Sequence, residues 1–138
     1  MDIKEAVEKR HSVRQYLDKP IDDEKTQILK EQIERCNQEG DLNIQLILNE
    51  PRAFQSQLAH YGKFKGVQHY IALIGKKNSS DLQEKCGYYG EHLVLLAQQL
   101  GLNTCWVALT YKKIPEVLHL ASDEKIVAVI SIGYGENQ

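Results

Sequence analysis

Apolar positions along the chain switch between helical and strand-like rhythms, and the switches mark out its elements. Over Met1–Lys9, Ile3, Ala6 and Val7 recur at helical spacing between polar residues, which predicts a short helix with Arg10–Arg14 at its exit. Pro20 and Asp22 announce a second helix through about Cys36, with Asp22 as N-cap, Ile28, Leu29 and Ile33 as its buried stripe and Gly40 as its close. Asn43–Leu48 is short and β-rich and predicts a strand ended by Asn49-Glu-Pro51, and Glu50–Gly66 then reads as an irregular excursion with at most a helical turn. The apolar run Gln68–Gly75 predicts a buried strand with Lys76–Ser80 as its turn. Ser80 and Gln83 form a capping-box pattern ahead of the longest helix, in which Leu82, Cys86, Tyr89, Leu93, Ala97 and Leu100 repeat at intervals of four and three until Gly101 stops it. A strand over Asn103–Leu109, a short helix over Ile114–Ala121 with Pro115 in its first turn, and a buried strand over Lys125–Ile132 complete the order. Four strands and about four helices make an α+β or α/β sandwich, and 138 residues without repeats are expected to fold as a single domain, 1–138.

Composition narrows the class. Apolar residues at 42% and charged residues at 26% are ordinary for a globular protein, and no apolar run approaches the roughly 20 residues a bilayer crossing needs. Nothing at the N-terminus resembles a signal peptide, so a cytoplasmic location is expected, without membrane association. Cys36, Cys86 and Cys105 are widely spaced and form no CxxC pair, and the histidines show no HExxH spacing, so neither a disulfide framework nor a metal site is expected. A net charge of −2 argues against nucleic acid as a partner. One local asymmetry remains: no acidic residue occurs from Ala53 to Ser80, where Lys63, Lys65, Lys76 and Lys77 alternate with Phe54, Tyr61, Phe64 and Tyr70. Such a stretch suits single-stranded nucleic acid or a phosphorylated ligand, and equally a surface loop running into a strand.

The densest chemistry lies at Arg10, His11, Ser12 and Arg14. Guanidinium presents a planar fork that pairs bidentately with phosphate or with a ring carbonyl, and serine adds a short neutral donor. The same two arginines also suit a plainer role as solvated charges beside the last carbonyls of a helix. Gly133-Tyr134-Gly135 follows a strand but has no third glycine and no helix behind it, which excludes a dinucleotide-binding turn; no Walker loop or nucleophile elbow is present either.

Taken together, Arg10-His-Ser-Val-Arg14, the glycine-containing helix Cys86–Leu100, the segment Gly101-Leu-Asn-Thr-Cys-Trp106 and the terminal Ile-Gly-Tyr-Gly135 resemble, in order and spacing, the nitroreductase-like family of FMN-dependent oxidoreductases. The resemblance implies an α+β sandwich whose central, mostly antiparallel sheet of about four strands is flanked by helices, with one long central helix. It implies FMN at a homodimer interface, NAD(P)H as reductant, and nitroaromatic, quinone or similar small-molecule electron acceptors served in ping-pong fashion. Carried over residue by residue, Arg10 and Ser12 hold the phosphate, His11 lies beside them and Arg14 meets the pyrimidine edge. Asn43 and Gln45 match the family's Asn-x-Gln segment, and Trp106, Val107, Ala108 and Leu109 match the loop over one flavin face, the Ala108 N–H being the donor to N5. Trp106 and Val107 also read as plain strand core. Tyr61–Gly66 is expected to rim the pocket. No catalytic side chain is implied, since hydride transfer depends on stacking the two rings. Family members typically supply a further Lys or Arg to the phosphate beyond the last strand, whereas this sequence stops at Gln138. A minimal core or a fragment with weakened cofactor affinity is therefore expected, and the alternative function is a flavin-binding module without turnover.

Overall fold

A computed structural model of the chain describes residues 1–55 and 62–136. Among the described residues the helices and strands are helix α1 (Ile3–Lys9), helix α2 (Asp23–Gly40), strand β1 (Gln45–Ile47), strand β2 (His69–Lys76), helix α3 (Leu82–Gln99), strand β3 (Asn103–Val107) and strand β4 (Glu124–Gly133). The strands form one antiparallel sheet in the order β1-β2-β4-β3. The fold is thus the expected α+β sandwich. Among the described residues no helix is long and apolar enough to cross a membrane.

The period-two alternation of the strands gives the sheet two different faces. Ile71, Leu73, Ile130 and Ile132 point toward α2 and α3, where they meet Leu29, Ile33, Leu93, Val94 and Ala97. Tyr70, Ala72, Ile74, Cys105, Val107 and Val129 point the other way and are covered by loop residues, notably Val13, Tyr16, Phe54, Phe64, Tyr111 and Ile114. A sheet with helices on one side and ordered loops on the other can build a site on the loop side without giving up its core. The register of β2 against β4 shifts between Leu73 and Ile74, and the inserted residue, Val127, lets both faces stay apolar beyond the irregularity.

Several boundaries differ from expectation, each for a local reason. Helix α2 continues past Cys36 to Gly40, and Asp41, at φ 52°, makes the left-handed exit. Its N-cap is Asp22 as expected, but the Asp22 carboxylate makes no capping hydrogen bond and lies 3.7 Å from Lys25. The Ser80–Gln83 capping box does not form, because α3 starts from Asp81, whose carboxylate accepts from Ser79 Oγ at 2.8 Å and pairs with Lys85. The helix expected over Ile114–Ala121 shrinks to one 3₁₀ turn at Pro115–Val117. Backbone groups beyond that turn are satisfied elsewhere: Gln45 donates to the His119 carbonyl and accepts from the His119 N–H, and Glu124 accepts from the Ala121 N–H. Partners of this kind remove the incentive to close helical hydrogen bonds. The excursion after β1 contains the 3₁₀ turn Pro51–Phe54, held by the Glu50–Arg52 pair.

Cys36, Cys86 and Cys105 are free and buried, and burial pushes the Cys86 thiol up to about 11, which keeps it inert. Gly90 is where β3 approaches α3, since a β-carbon there would lie 2.4 Å from the Trp106 ring. Gly90→Ala is therefore expected to lower the melting temperature and red-shift the fluorescence of Trp106, the sole tryptophan, as the ring is pushed outward; thermal denaturation and emission spectra check this.

Candidate functional site

The segment after α1 runs as an extended strap along the open edge of β3. Ser12 bridges Thr104 in parallel, and the Val13 N–H donates to the Thr104 carbonyl at 3.0 Å. The strap then passes between two further segments. The Lys65 N–H donates to Arg14 O and the Tyr16 N–H to Lys65 O, while the Glu136 N–H donates to Gln15 O and the Leu17 N–H to Tyr134 O. Val13 and Tyr16 turn inward, and Ser12, Arg14 and Gln15 turn outward.

Tyr16 anchors the strap to the sheet. Its hydroxyl lies 2.8 Å from Ser131 Oγ, and the Ser131 hydroxyl also reaches the Cys105 carbonyl at 3.4 Å. Burial holds the Tyr16 phenol well above the ordinary tyrosine range, so it stays neutral and serves as a fixed hydrogen-bonding group. Gly66, at φ 75°, lets the chain turn directly against this strap: a β-carbon there would sit 2.3 Å from the Tyr16 carbonyl oxygen.

Two clefts flank the strap, and Arg14 lines both. The first, about 240 Å³, lies among His11, Ser12, Arg14, Gln15 and Lys63. The second, about 330 Å³, lies among Arg14, Gly62, Phe64, Thr110 and the run from Cys105 through Trp106, Val107 and Ala108 to Leu109. The turn from Gly62 to Gly66 divides them, since Lys63 faces the first while Gly62 and Phe64 face the second. Among the described residues no carboxylate lines either cleft. Among the described residues no carboxylate lies within ion-pair distance of Arg10, Arg14 or Lys63, whereas Lys65 is paired with Glu136 at 3.2 Å. The first cleft is thus cationic and polar, and the second is mostly apolar with one guanidinium at its edge.

Of the residues expected to form a site, Ser12, Arg14 and His11 come together in the first cleft, and Trp106, Val107, Ala108 and Leu109 in the second. The His11 Nδ1 faces the Lys9 carbonyl at 3.1 Å. Arg10 takes a separate position beneath them: its Nη2 donates to Thr104 Oγ1 at 3.4 Å, and its buried Nε meets no acceptor among the described residues. Beyond β3 the chain bends away, leaving Leu109 82% exposed and the Ala108 N–H without an acceptor among the described residues. Trp106 also lines the second cleft, while its indole Nε1–H donates to Glu91 of α3 at 3.2 Å on the helix side of the sheet.

Asn43 and Gln45 are not brought to this cluster within the chain. Pairing places Gln45 in line with Ala72, Val129 and Val107 across the sheet, three inter-strand steps or roughly 14 Å from β3. The Asn43 amide donates to the His119 carbonyl and to Glu124, and the Gln45 amide is likewise committed to His119. Of the expected rim Tyr61–Gly66, Gly62, Lys63 and Phe64 line the clefts, and Tyr61 lies outside the described residues. Sequence reasoning missed the individual place of Lys63 and the anchoring role of Tyr16. The basic, acid-free stretch signalled the first, and the alternation of inward Val13 and Tyr16 with outward Ser12 and Arg14 was the only trace of the second.

Comparisons with known proteins bear on the fold and the family. No curated protein matches the sequence. Among solved structures, an FMN-dependent nitroreductase from Clostridium difficile R20291 superposes with a TM-score of 0.77 at 22% identity, covering 96% of this chain and 87% of that one. A nitroreductase with bound FMN from Bacteroides fragilis NCTC 9343 superposes with a TM-score of 0.72 at 17% identity, covering 98% of this chain and 89% of that one. Identities this low establish the shared fold. The family model described as "Putative TM nitroreductase" matches residues 2–138, and the chain belongs to that nitroreductase family.

Proposed function

We propose that the protein is an FMN-dependent oxidoreductase that passes hydride equivalents from NAD(P)H to nitroaromatic, quinone or similar acceptors, the two substrates alternating at one flavin face in a homodimer. The observation that carries this reading is the placement of Arg14 between a cationic polar cleft and a mostly apolar one. FMN needs that pair of environments, one for a phosphate dianion and one for a flat ring. The residues present fit the group: among the described residues the first cleft is lined by Ser12, Arg14, Gln15 and Lys63, a set of donors without a carboxylate. The names of the two structural relatives, one FMN-dependent and one with FMN bound, support the same choice.

When bound, FMN supplies the electron carriage itself, accepting and releasing hydride equivalents at its ring. The protein's share is binding, orientation and electrostatics. Ser12 and Arg14 would hold the phosphate in the first cleft, with Arg10 outside it against Thr104, and Arg14, reaching both clefts, would also present a permanent cation to the ring's polar edge, favouring the more negative form of the group. The Ala108 N–H would offer the ring a fixed backbone donor. Phe64, Val107 and Leu109 would supply apolar surface against which flat substrates stack, and their lack of directional groups suits a broad acceptor range. Asn43 and Gln45 are assigned to the 118–124 turn.

The purified protein is expected to be yellow or to take up added FMN, to bleach on addition of NADH or NADPH, and to regain colour in air or with a nitro compound. Absorbance spectra check each step. A colourless protein that takes up no FMN would overturn the proposal, and FMN binding without oxidation of either nicotinamide would favour a flavin-binding module without turnover.

A further inference from the structure

We propose that Lys63 is a phosphate-binding cation that faces Ser12 and Arg14 across the first cleft and holds the phosphate of the flavin nucleotide between them. The inference rests on the flavin reading above and adds a residue to it.

Three independent features of the turn point to Lys63. The first is position: Lys63 is the one residue of the Gly62–Gly66 turn that lines the cationic cleft, while Gly62 and Phe64 line the other. Arg10, whose sequence context suggested the main phosphate contact, does not line this cleft and reaches down to Thr104 instead. The second is charge. Lys65, two positions on, has its ammonium spoken for by Glu136, but Lys63 has no carboxylate within ion-pair distance among the described residues. The neighbouring stretch contains no acidic residue to compete for it.

The third feature is backbone conformation. Lys63 sits at φ 65°, in the left-handed region that residues with a β-carbon adopt at a cost. Glycine is the ordinary choice there, and the chain does place glycines close by, at 62 and 66. The strained residue is clamped from the strap: Gln15 Nε2 donates to the Lys63 carbonyl at 2.8 Å. Gly62 is pressed against Thr110, with space for a β-carbon only 2.8 Å from its Oγ1. A lysine held in a conformation that glycine would occupy without cost is best accounted for by its side chain, and strain of this kind concentrates at ligand clamps. An ammonium opposite a guanidinium and a hydroxyl is a donor set for a phosphate monoester, since the lysine contributes a point charge and the arginine a planar fork.

The test compares FMN with riboflavin, which lacks only the phosphate, by fluorescence titration of the purified protein at low salt. Wild type is expected to prefer FMN. Lys63→Met is expected to weaken FMN binding about ten- to a hundredfold while leaving riboflavin affinity unchanged, and Lys63→Arg to retain the preference. Lys63→Gly gives a second readout: it should raise the melting temperature by relieving the backbone and still lose the FMN preference. An unchanged FMN-to-riboflavin ratio in Lys63→Met, or an equal loss for both flavins, would overturn the assignment and leave the flavin reading standing. Wild-type protein that binds both flavins equally would do the same. Wild-type protein that binds neither would overturn the flavin reading and this inference with it.

Discussion

Gly66→Ala is expected to lower the melting temperature by about 10 °C and to abolish flavin retention in the same variant. At φ 75° an alanine pays the left-handed penalty of about 1–2 kcal/mol before any contact is considered. Its β-carbon would then lie 2.3 Å from the Tyr16 carbonyl oxygen, a backbone atom that cannot rotate aside. Relief requires the turn to separate from the strap, at the expense of the bonds between Tyr16 N–H and Lys65 O and between Lys65 N–H and Arg14 O, each worth about 1 kcal/mol. The total, about 3 kcal/mol, is a large share of the stability of a domain this size. The same displacement moves Arg14 and Lys63 apart, so cofactor loss should accompany the thermal shift. Gly87→Ala is the matched control. Nothing lies within 4 Å of that position among the described residues, and it sits inside α3, so alanine should leave stability unchanged or raise it by about 0.5–1 kcal/mol. Thermal denaturation of both variants, followed by FMN titration, distinguishes local backbone geometry from a general intolerance of substitution.

Arg14→Ala is expected to have the opposite profile: a melting temperature close to wild type and FMN affinity reduced about thirtyfold or more. The Arg14 side chain is exposed and has no carboxylate partner among the described residues, so removing it leaves no buried group unsatisfied. Its loss removes at least one charge-assisted contact, worth about 2 kcal/mol or about a thirtyfold change in dissociation constant. Because Arg14 lines both clefts, riboflavin affinity should fall as well, in contrast with the Lys63 variants. Titrations with the two flavins and a melting curve check this; unchanged affinity for both would place the arginine among solvated surface charges.

The legibility of the chain followed the range of the interactions involved. Runs such as Gln68–Gly75 and Lys125–Ile132 are apolar because both faces of their strands are covered, and they were readable almost to the residue. The long helix was equally plain, because Leu82, Cys86, Leu93 and Ala97 all pack inward. Failures occurred where a distant side chain decides the local backbone. Ile114–Ala121 has a proline suited to a first helical turn, yet amides from residues 43 and 45 fix the backbone beyond it. No pattern within that segment could show this. At the site, Arg10–Arg14 stood out by composition alone. Its division into a half-buried Arg10 and an outward Arg14 depended on pairing with Thr104 and Lys65, residues far away in sequence. The Asn43 and Gln45 amides illustrate the converse: a polar motif matched by resemblance was engaged in holding a turn at the other edge of the sheet.

The strand order carries a consequence for how the molecule comes into being. Among the described strands β4 comes last in sequence yet is an inner strand of the sheet, and β3 pairs with β4 alone. Until β4 is inserted, β3 lacks its ladder, Tyr16 lacks the Ser131 hydroxyl, and Gln15 lacks the Glu136 amide that fixes the strap. The strap and β3 therefore depend on the same long-range closure, a topology associated with slow folding. The walls of the clefts and the completed sheet are thus gained together, so the capacity to hold a ligand is a property of the whole fold and not of any one of its segments.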